Sequence, residues 1–258
     1  MPDFIQYFLS LGFAGLMFLL RLDARRFGAA EWDTEQGTWR VWAPRISWYV
    51  AGLALSLLIF GFHPSPVTEL NLTFAPDRGV ALFLGLVYGV GGTVLAFGVA
   101  WIRGGRLRFP APERYPGGVL SSIGTAWFDE FLFRGVILGL LLALGLGDEV
   151  GVVVAALIYT AAVRASSTGR GLLDTAIALI IGLASGLVVL LTAGIAAALV
   201  GHAITRFAFF LALGHPTRAA VPTAVSAESQ LFLVPPPAWP PGSDDDDGRG
   251  GFGPVRPA

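Results

Sequence analysis

Two apolar segments of the chain carry ionisable side chains whose spacing could support acid–base chemistry. The first holds Asp129, Glu130 and Arg134, and the second holds His202 and Arg206. Residues four apart share a helix face, so Glu130 can pair with Arg134, and His202 can lie beside Arg206. Asp129 points away from Arg134 by more than a quarter turn and has no partner on its own helix. It is therefore available to meet another helix.

A charged side chain in the middle of a bilayer raises the free energy of insertion by at least about 2.5–3.5 kcal/mol. Such residues are therefore expected to have a structural or functional role. A rise of about 1.5 Å per helical residue places Glu130 roughly 16 Å from the cytoplasmic end of its segment. The same rise places His202 roughly 12 Å from the outer end of its own segment. In a hydrocarbon core about 30 Å thick, both lie near the midplane. Two antiparallel helices can thus bring these residues to one level.

The spacing alone leaves three interpretations open. Asp129 and Glu130 could balance Arg134 and Arg206 as a buried ionic clasp, two negative charges against two positive ones. Alternatively, a carboxylate and the His202 imidazole could line a water-filled cavity as a polar reaction site. A transport path is the third interpretation, because intramembrane carboxylates often relay protons. It is the weakest, because the sequence shows no repeat of the inverted-transporter kind.

The segments that must position these residues are membrane spans. Of the 258 residues, 54% are hydrophobic and only 14% are charged, whereas soluble domains carry about 25% charged residues. The apolar residues occur in blocks close to the roughly 20 helical residues that cross a bilayer. This composition excludes a soluble enzyme, a nucleic-acid binder and a disordered regulator. The chain has no cysteine, which excludes a disulfide framework, a thiol nucleophile and a Cys-ligated metal.

We therefore predict an all-α fold, a polytopic transmembrane helical bundle of about seven spans. The predicted spans are about 4–20, 47–62, 79–102, 119–145, 150–163, 171–191 and 194–213. Arginines accumulate in alternate loops, beginning with Arg21 and its neighbours in the segment 21–46. Because cytoplasmic loops collect basic residues, we predict the N-terminus outside and the C-terminus inside. We expect a multi-pass protein of the plasma membrane. Its expected partner is the lipid bilayer, and no nucleic acid is expected to bind.

The chain divides into three predicted regions. Residues 1–118 form N-terminal transmembrane spans and cytoplasmic loops, residues 119–213 form the core helices, and residues 214–258 form a cytoplasmic tail. The tail is rich in proline, glycine and aspartate and has no periodic apolar residues, a composition typical of disorder. Its four consecutive aspartates, 244–247, favour a solvated acidic run over a cation site.

The motif at 129–135, Asp-Glu-Phe-Leu-Phe-Arg-Gly, resembles the first motif of a known family. That family is the CAAX-protease-and-bacteriocin-processing (CPBP) intramembrane proteases, whose first motif is usually two glutamates, three apolar residues and an arginine. The stretch 192–203, which contains His202, is similar to the third motif of the same family. The resemblance covers about residues 119–213, which makes these the CPBP-like core helices.

The resemblance implies an endopeptidase that cleaves membrane-associated peptides or proteins with carboxylate-activated water. Carried over by position, Asp129 would be the general base, with Glu130 and Arg134 as its supporting pair. His202 would donate to the oxyanion that develops on the scissile carbonyl. Arg206 stands where the third motif has an asparagine, and it could share this oxyanion clamp.

No cofactor and no metal are expected. Catalytic zinc normally has three protein ligands. Only His202 and Asp129 are fully available, because Glu130 is expected to pair with Arg134. The other two histidines, His63 and His215, fall in a loop and at a cytoplasmic end. We predict that both are surface residues.

Departures from the family pattern keep two functional hypotheses open. The second motif normally places a histidine four residues after an aromatic residue, but Val163 stands four after Tyr159. Asp129 is also one methylene shorter than the usual glutamate. The chain is therefore either a divergent endopeptidase or a catalytically degenerate member that acts as a membrane-embedded binding or immunity protein. The second hypothesis predicts that Arg206 contacts Asp129.

Overall fold

The computed structural model describes residues 2–29, 39–104, 109–166 and 171–213, all within one compact unit, Met1–Pro216. Regular secondary structure in these ranges is entirely helical. The seven helices are α1 Pro2–Leu22, α2 Trp39–Phe62, α3 Arg78–Gly104, α4 over 115–143, α5 Asp148–Ala165, α6 Leu172–Thr192 and α7 Ala196–Leu213. Helix α4 is continuous and consists of α-helical Tyr115–Asp129, π-helical Glu130–Ile137 and α-helical Leu138–Ala143. The predicted tail 214–258 lies outside the described residues.

These helices confirm the all-α membrane fold predicted from the sequence. Five of them are long and apolar enough to cross a membrane, namely Asp3–Leu22, Trp42–Phe62, Arg78–Gly104, Leu172–Thr192 and Ala196–Leu213. The other two, α4 and α5, coincide with the fourth and fifth predicted spans but carry more ionisable residues. The orientation of the chain, with its N-terminus outside, stays a prediction.

Helix α1 shows why the fold needs an apolar solvent. Only 11% of its most apolar window is buried against the rest of the protein, and side chains such as Phe4, Phe8 and Leu19 are more than half exposed. In water these side chains would form a large apolar patch of the kind that monomeric soluble proteins avoid. Against lipid tails the same surface carries no such cost, so we assign it to bilayer contact.

Glycines let α7 lie unusually close to α3. A Cβ atom on Gly85 would lie 2.8 Å from the carbonyl oxygen of Ala197, and one on Gly89 would lie 2.8 Å from the Cβ of Ile204. Close backbone approach at small residues is a main source of helix association in membranes. Because His202 lies between these two contacts on α7, the packing holds it at a fixed depth in the bundle.

The connection 63–77 crosses the end of the bundle where α2 and α4 terminate. Its residue Leu70 lies directly on α4, since a Cβ on Gly139 would lie 2.6 Å from the Cα of Leu70. Further along, the Thr73 hydroxyl donates to the Ala193 carbonyl at 2.6 Å. At its start His63 is only 4% exposed, so the prediction that His63 is a surface residue is wrong. The Tyr7 ring lies edge-on to the imidazole, with 5.0 Å between ring centroids, and screens it from solvent.

Candidate functional site in the helix bundle

The ionisable residues singled out by the sequence form one buried cluster. Asp129, Glu130 and His202 are each 0% exposed, Arg134 is 1% exposed and Arg206 is 6% exposed. Helix α4 changes from α to π geometry between Asp129 and Glu130, a local irregularity that is frequent at functional sites. Helices α4 and α7 therefore bring these side chains to one level, as the depth comparison predicted.

Glu130 binds partners from three helices. Its Oε1 contacts the Nδ1 of His202 on α7, and its Oε2 accepts a hydrogen bond of 2.5 Å from the Ser185 hydroxyl on α6. The Nε of Arg134, one turn along the same helix, lies 3.5 Å from Oε2. Both carboxylate oxygens are thus engaged, and the ion pair between Glu130 and Arg134 forms as their spacing predicted.

Asp129 is held by arginines from two other helices. The Nε of Arg21 on α1 donates to Oδ1 at 2.5 Å, and its Nη2 donates to Oδ2 at 3.3 Å. This two-point contact is the strong geometry of a guanidinium–carboxylate pair. The Nη1 of Arg206 lies 3.9 Å from Oδ2, which is the contact that the degenerate-member hypothesis predicted.

The placement of Arg21 corrects the sequence analysis, which counted this residue with the first cytoplasmic loop. Arg21 lies in the last turn of α1 and is 3% exposed. Loop counting records only that a basic residue follows an apolar run, and it carries no information about the face on which that residue lies. The sequence contains one weak indication that Arg21 belongs to the helix, because the apolar residue Leu22 follows it.

Arg21 also reaches the helix turn that carries Val163. Its Nη1 donates to the Ser166 hydroxyl at 3.1 Å, and that hydroxyl donates to the Val163 carbonyl at 3.1 Å. Val163 is the position where the family resemblance calls for a histidine. A guanidinium from α1 therefore contacts the part of α5 from which an imidazole would otherwise project.

The ring of Tyr159 contacts two of the partners of Glu130, namely Arg134 and His202. Its ring lies 4.5 Å from the guanidinium carbon of Arg134, a distance at which a cation is attracted to a ring face. The same ring lies edge-on to His202, with centroids 6.2 Å apart. Among the described residues, His202 Nε2 and Arg134 Nη1 are buried without a hydrogen-bond partner. These two atoms can bind a water molecule or a substrate group.

The donor set for a metal is incomplete in the described ranges, where no three His, Cys, Asp or Glu side chains form a group able to hold an ion. Asp129, Glu130 and His202 come nearest to such a group. Their oxygens and the imidazole Nδ1 are already engaged by protein partners.

The cluster lies within a region that matches a known family. Residues 112–208 match the family model of type II CAAX prenyl endopeptidases, Rce1-like. The core of this chain is therefore similar to that family over these residues. The match contains Asp129, Glu130, Arg134, His202 and Arg206, and it confirms the resemblance read from the two motifs. Comparison with curated proteins and with solved structures gave no match.

Within the matched range 112–208 the two carboxylates differ in what they can still bind. Both oxygens of Asp129 accept from Arg21 at hydrogen-bond distance, so a water molecule would have to displace that guanidinium to reach them. Glu130 instead fixes His202 through Nδ1 and leaves Nε2 without a protein partner among the described residues. The imidazole is therefore the group in the cluster that could still accept or donate a proton.

Proposed function

We propose that this chain is a membrane-embedded binding protein of the Rce1-like kind that does not cleave peptides by the mechanism of its family. The observation that carries the proposal is the buried pair between Arg21 and Asp129, with 2.5 Å between Nε and Oδ1. A general base must reach the proton that it removes. Arg21 occupies the positions around Asp129 from which a water molecule would be activated.

Two further residues support this proposal. Val163 can neither accept a proton nor orient water, so the second group that normally assists the carboxylate is missing. Arg206 adds positive charge 3.9 Å from Asp129, where the third motif has a neutral asparagine. The ligand that we propose is a membrane-associated peptide or protein, bound within the plasma membrane by a chain whose N-terminus is outside.

A cleavage assay on the full-length chain tests the proposal. The protein is reconstituted in liposomes and given a farnesylated peptide that ends in a CAAX box and carries a fluorophore and quencher. We expect the wild type, Asp129→Ala and His202→Ala to release the same background fluorescence. Thermal unfolding of each reconstituted variant checks that it is folded. Cleavage by the wild type above both variants would refute the proposal.

A restoration series identifies which residues block the reaction. The double variant Val163→His/Arg206→Asn restores the family pattern in the second and third motifs but keeps Asp129 and leaves Arg21 on it. We expect it to remain inactive, and we expect cleavage only when Arg21→Gln is added. Adding Asp129→Ala to this triple variant should abolish the activity, which is the matched control for a carboxylate-dependent reaction. Activity of the double variant alone would show that Arg21 does not block the site.

One observation favours a second candidate, a divergent endopeptidase that uses His202 as its base. His202 Nδ1 is fixed by Glu130, and its Nε2 is buried without a hydrogen-bond partner among the described residues. Nε2 could take a proton from the water that attacks the scissile carbonyl. The same assay separates this candidate from the first. It predicts cleavage by the wild type and by Asp129→Ala, and loss of cleavage in His202→Ala and Glu130→Ala.

A further inference from the structure

A cavity lies apart from the buried cluster, between the first turns of α3 and α7. It has a volume of about 380 Å³. Of the residues that the structure describes, those that line it are Phe74, Arg78, Ala81, Leu82, Ala196 and Val200. In this described lining five side chains are apolar and Arg78 carries the one charge. The lining therefore combines a surface for hydrocarbon with one fixed cation.

The cavity opens on a surface that we assign to membrane contact. Both helices that form it are among the five that can cross a bilayer, and Leu82 and Phe74 are 55% and 65% exposed. Arg78 is the first residue of α3 and therefore lies at the end of a span, where lipid headgroups meet water. Basic side chains at the ends of spans extend toward that layer.

The charge of Arg78 is available to a ligand. No ion pair joins Arg78 to another residue in the described parts of the chain. Its acidic neighbour Asp77 is engaged elsewhere, because Oδ1 accepts from the amides of Gly79 at 2.9 Å and Val80 at 3.0 Å. Asp77 thus caps the start of α3, and the guanidinium next to it is the group that an approaching anion meets.

We infer that this cavity binds one anionic phospholipid. Its phosphate lies on Arg78, and one acyl chain lies along Leu82 and Val200. Free phosphate would contact a single exposed cation and gain little, whereas a lipid also places its hydrocarbon chain in the apolar part of the cavity. A zwitterionic lipid can fill the same apolar space, but it brings no net charge to Arg78. The cavity should therefore distinguish lipids by headgroup charge.

Native mass spectrometry of the full-length chain in detergent tests this inference. The protein is titrated with dioleoyl phosphatidylglycerol or dioleoyl phosphatidylcholine, and the one-lipid complex is quantified. We expect tighter binding of phosphatidylglycerol to the wild type. Arg78→Gln should weaken it about fivefold, the factor equivalent to roughly 1 kcal/mol for one basic residue near a membrane surface. The matched control is Arg25→Gln, which removes another exposed arginine that does not line the cavity.

A second variant tests the apolar part of the site without changing its charge. Ala196→Leu places a larger side chain in the cavity, and we expect it to weaken binding of both lipids. Equal binding of the two lipids to the wild type would overturn the inference. Equal losses of phosphatidylglycerol binding in Arg78→Gln and Arg25→Gln would also overturn it, because they would show that the lipid is attracted by any exposed arginine. Competition by water-soluble glycerol phosphate as strong as that by the lipid would assign the site to free phosphate instead.

Discussion

Asp129 and Glu130 are neighbours in the sequence and are both completely buried, yet they belong to two chemically different halves of the cluster. The arginine half consists of Asp129 with Arg21, Arg206 and Ser166. The histidine half consists of Glu130 with His202, Ser185 and Arg134. The difference shows that the function of a carboxylate pair depends on which helices its members face, and not only on the motif that contains them.

The two halves also differ in their relation to the family match. Every member of the histidine half lies between residues 112 and 208, the range that matches the Rce1-like family. Arg21 comes from α1, outside that range. The residue that occupies Asp129 is therefore contributed by a part of the chain that the family comparison does not cover. This is why the comparison supports the fold of the core but leaves its activity a proposal.

Removing Asp129 should have the largest effect on stability. In Asp129→Ala, Arg21 and Arg206 would stay buried without their carboxylate, and breaking a buried pair in this way costs about 3–5 kcal/mol. We expect a loss of this size in the free energy of unfolding, measured by SDS titration in mixed micelles. The double variant Arg21→Ala/Asp129→Ala should lose less than the sum of the two single losses, because the pair is removed together.

An exposed ion pair at the end of α1 provides the control for Asp129→Ala. The Arg26 Nε lies 2.9 Å from the Asp23 Oδ1, and the two side chains are 82% and 42% exposed. Because exposed pairs contribute little, Asp23→Ala should leave the free energy of unfolding unchanged within error. Additive losses in the Arg21/Asp129 double variant would contradict the coupling that the arginine half implies.

The two serines allow a finer test of the same comparison. Ser185 donates to the Glu130 carboxylate at 2.5 Å, and a hydrogen bond to a charged group is worth about 1.5–3 kcal/mol. Ser166 accepts from Arg21 at 3.1 Å, but Arg21 keeps its two contacts with Asp129 when this bond is lost. We therefore expect Ser185→Ala to lower the free energy of unfolding more than Ser166→Ala, in the same micelle titration. Equal losses in the free energy of unfolding would mean that the two serines stabilise their halves of the cluster equally.

Sequence patterns predicted the histidine half better than the arginine half. The ion pair of Glu130 with Arg134 follows from helix periodicity, and the common depth of Glu130 and His202 follows from counting residues along two spans. These are properties of single helices, which one sequence contains. The hydrogen bond from Ser185 to Glu130 was not predicted. A serine in an apolar span gives no indication of which residue it will bind.

The arginine half depends on how separate helices pack, which is why the sequence analysis missed Arg21. Arg21 and Asp129 are 108 residues apart in the chain, and no spacing rule connects α1 to α4. Arg206 was recognised from its spacing to His202, from the balance of buried charges and because it replaces a motif residue. Glycines such as Gly85 and Gly89 bring α3 close to α7, and even there their spacing indicates close approach without naming the partner helix.

A second histidine–carboxylate pair, His63 with Glu69, lies outside the spans and has weaker contacts than His202 with Glu130. It should give the smallest effect. His63 Nε2 lies 3.9 Å from the Glu69 Oε2, and its Nδ1 accepts from the Ser65 amide at 3.1 Å. Burial lowers the pKa of His63 below its ordinary value, although Glu69 opposes the shift. Protonation of Nδ1 would also break the bond from Ser65.

The pH dependence follows from this shift. The pKa of His63 is lower in the folded protein than in the unfolded chain, so the unfolded chain takes up the proton first. The stabilisation is therefore complete above about pH 6.5 and is lost as the pH falls through the folded pKa. We expect the thermal unfolding midpoint of the wild type to fall more than that of His63→Gln between about pH 7.5 and about pH 5.5. Since both proteins retain His202, its contribution cancels. An identical fall of the unfolding midpoint in the wild type and in His63→Gln would show that His63 does not cause the pH dependence.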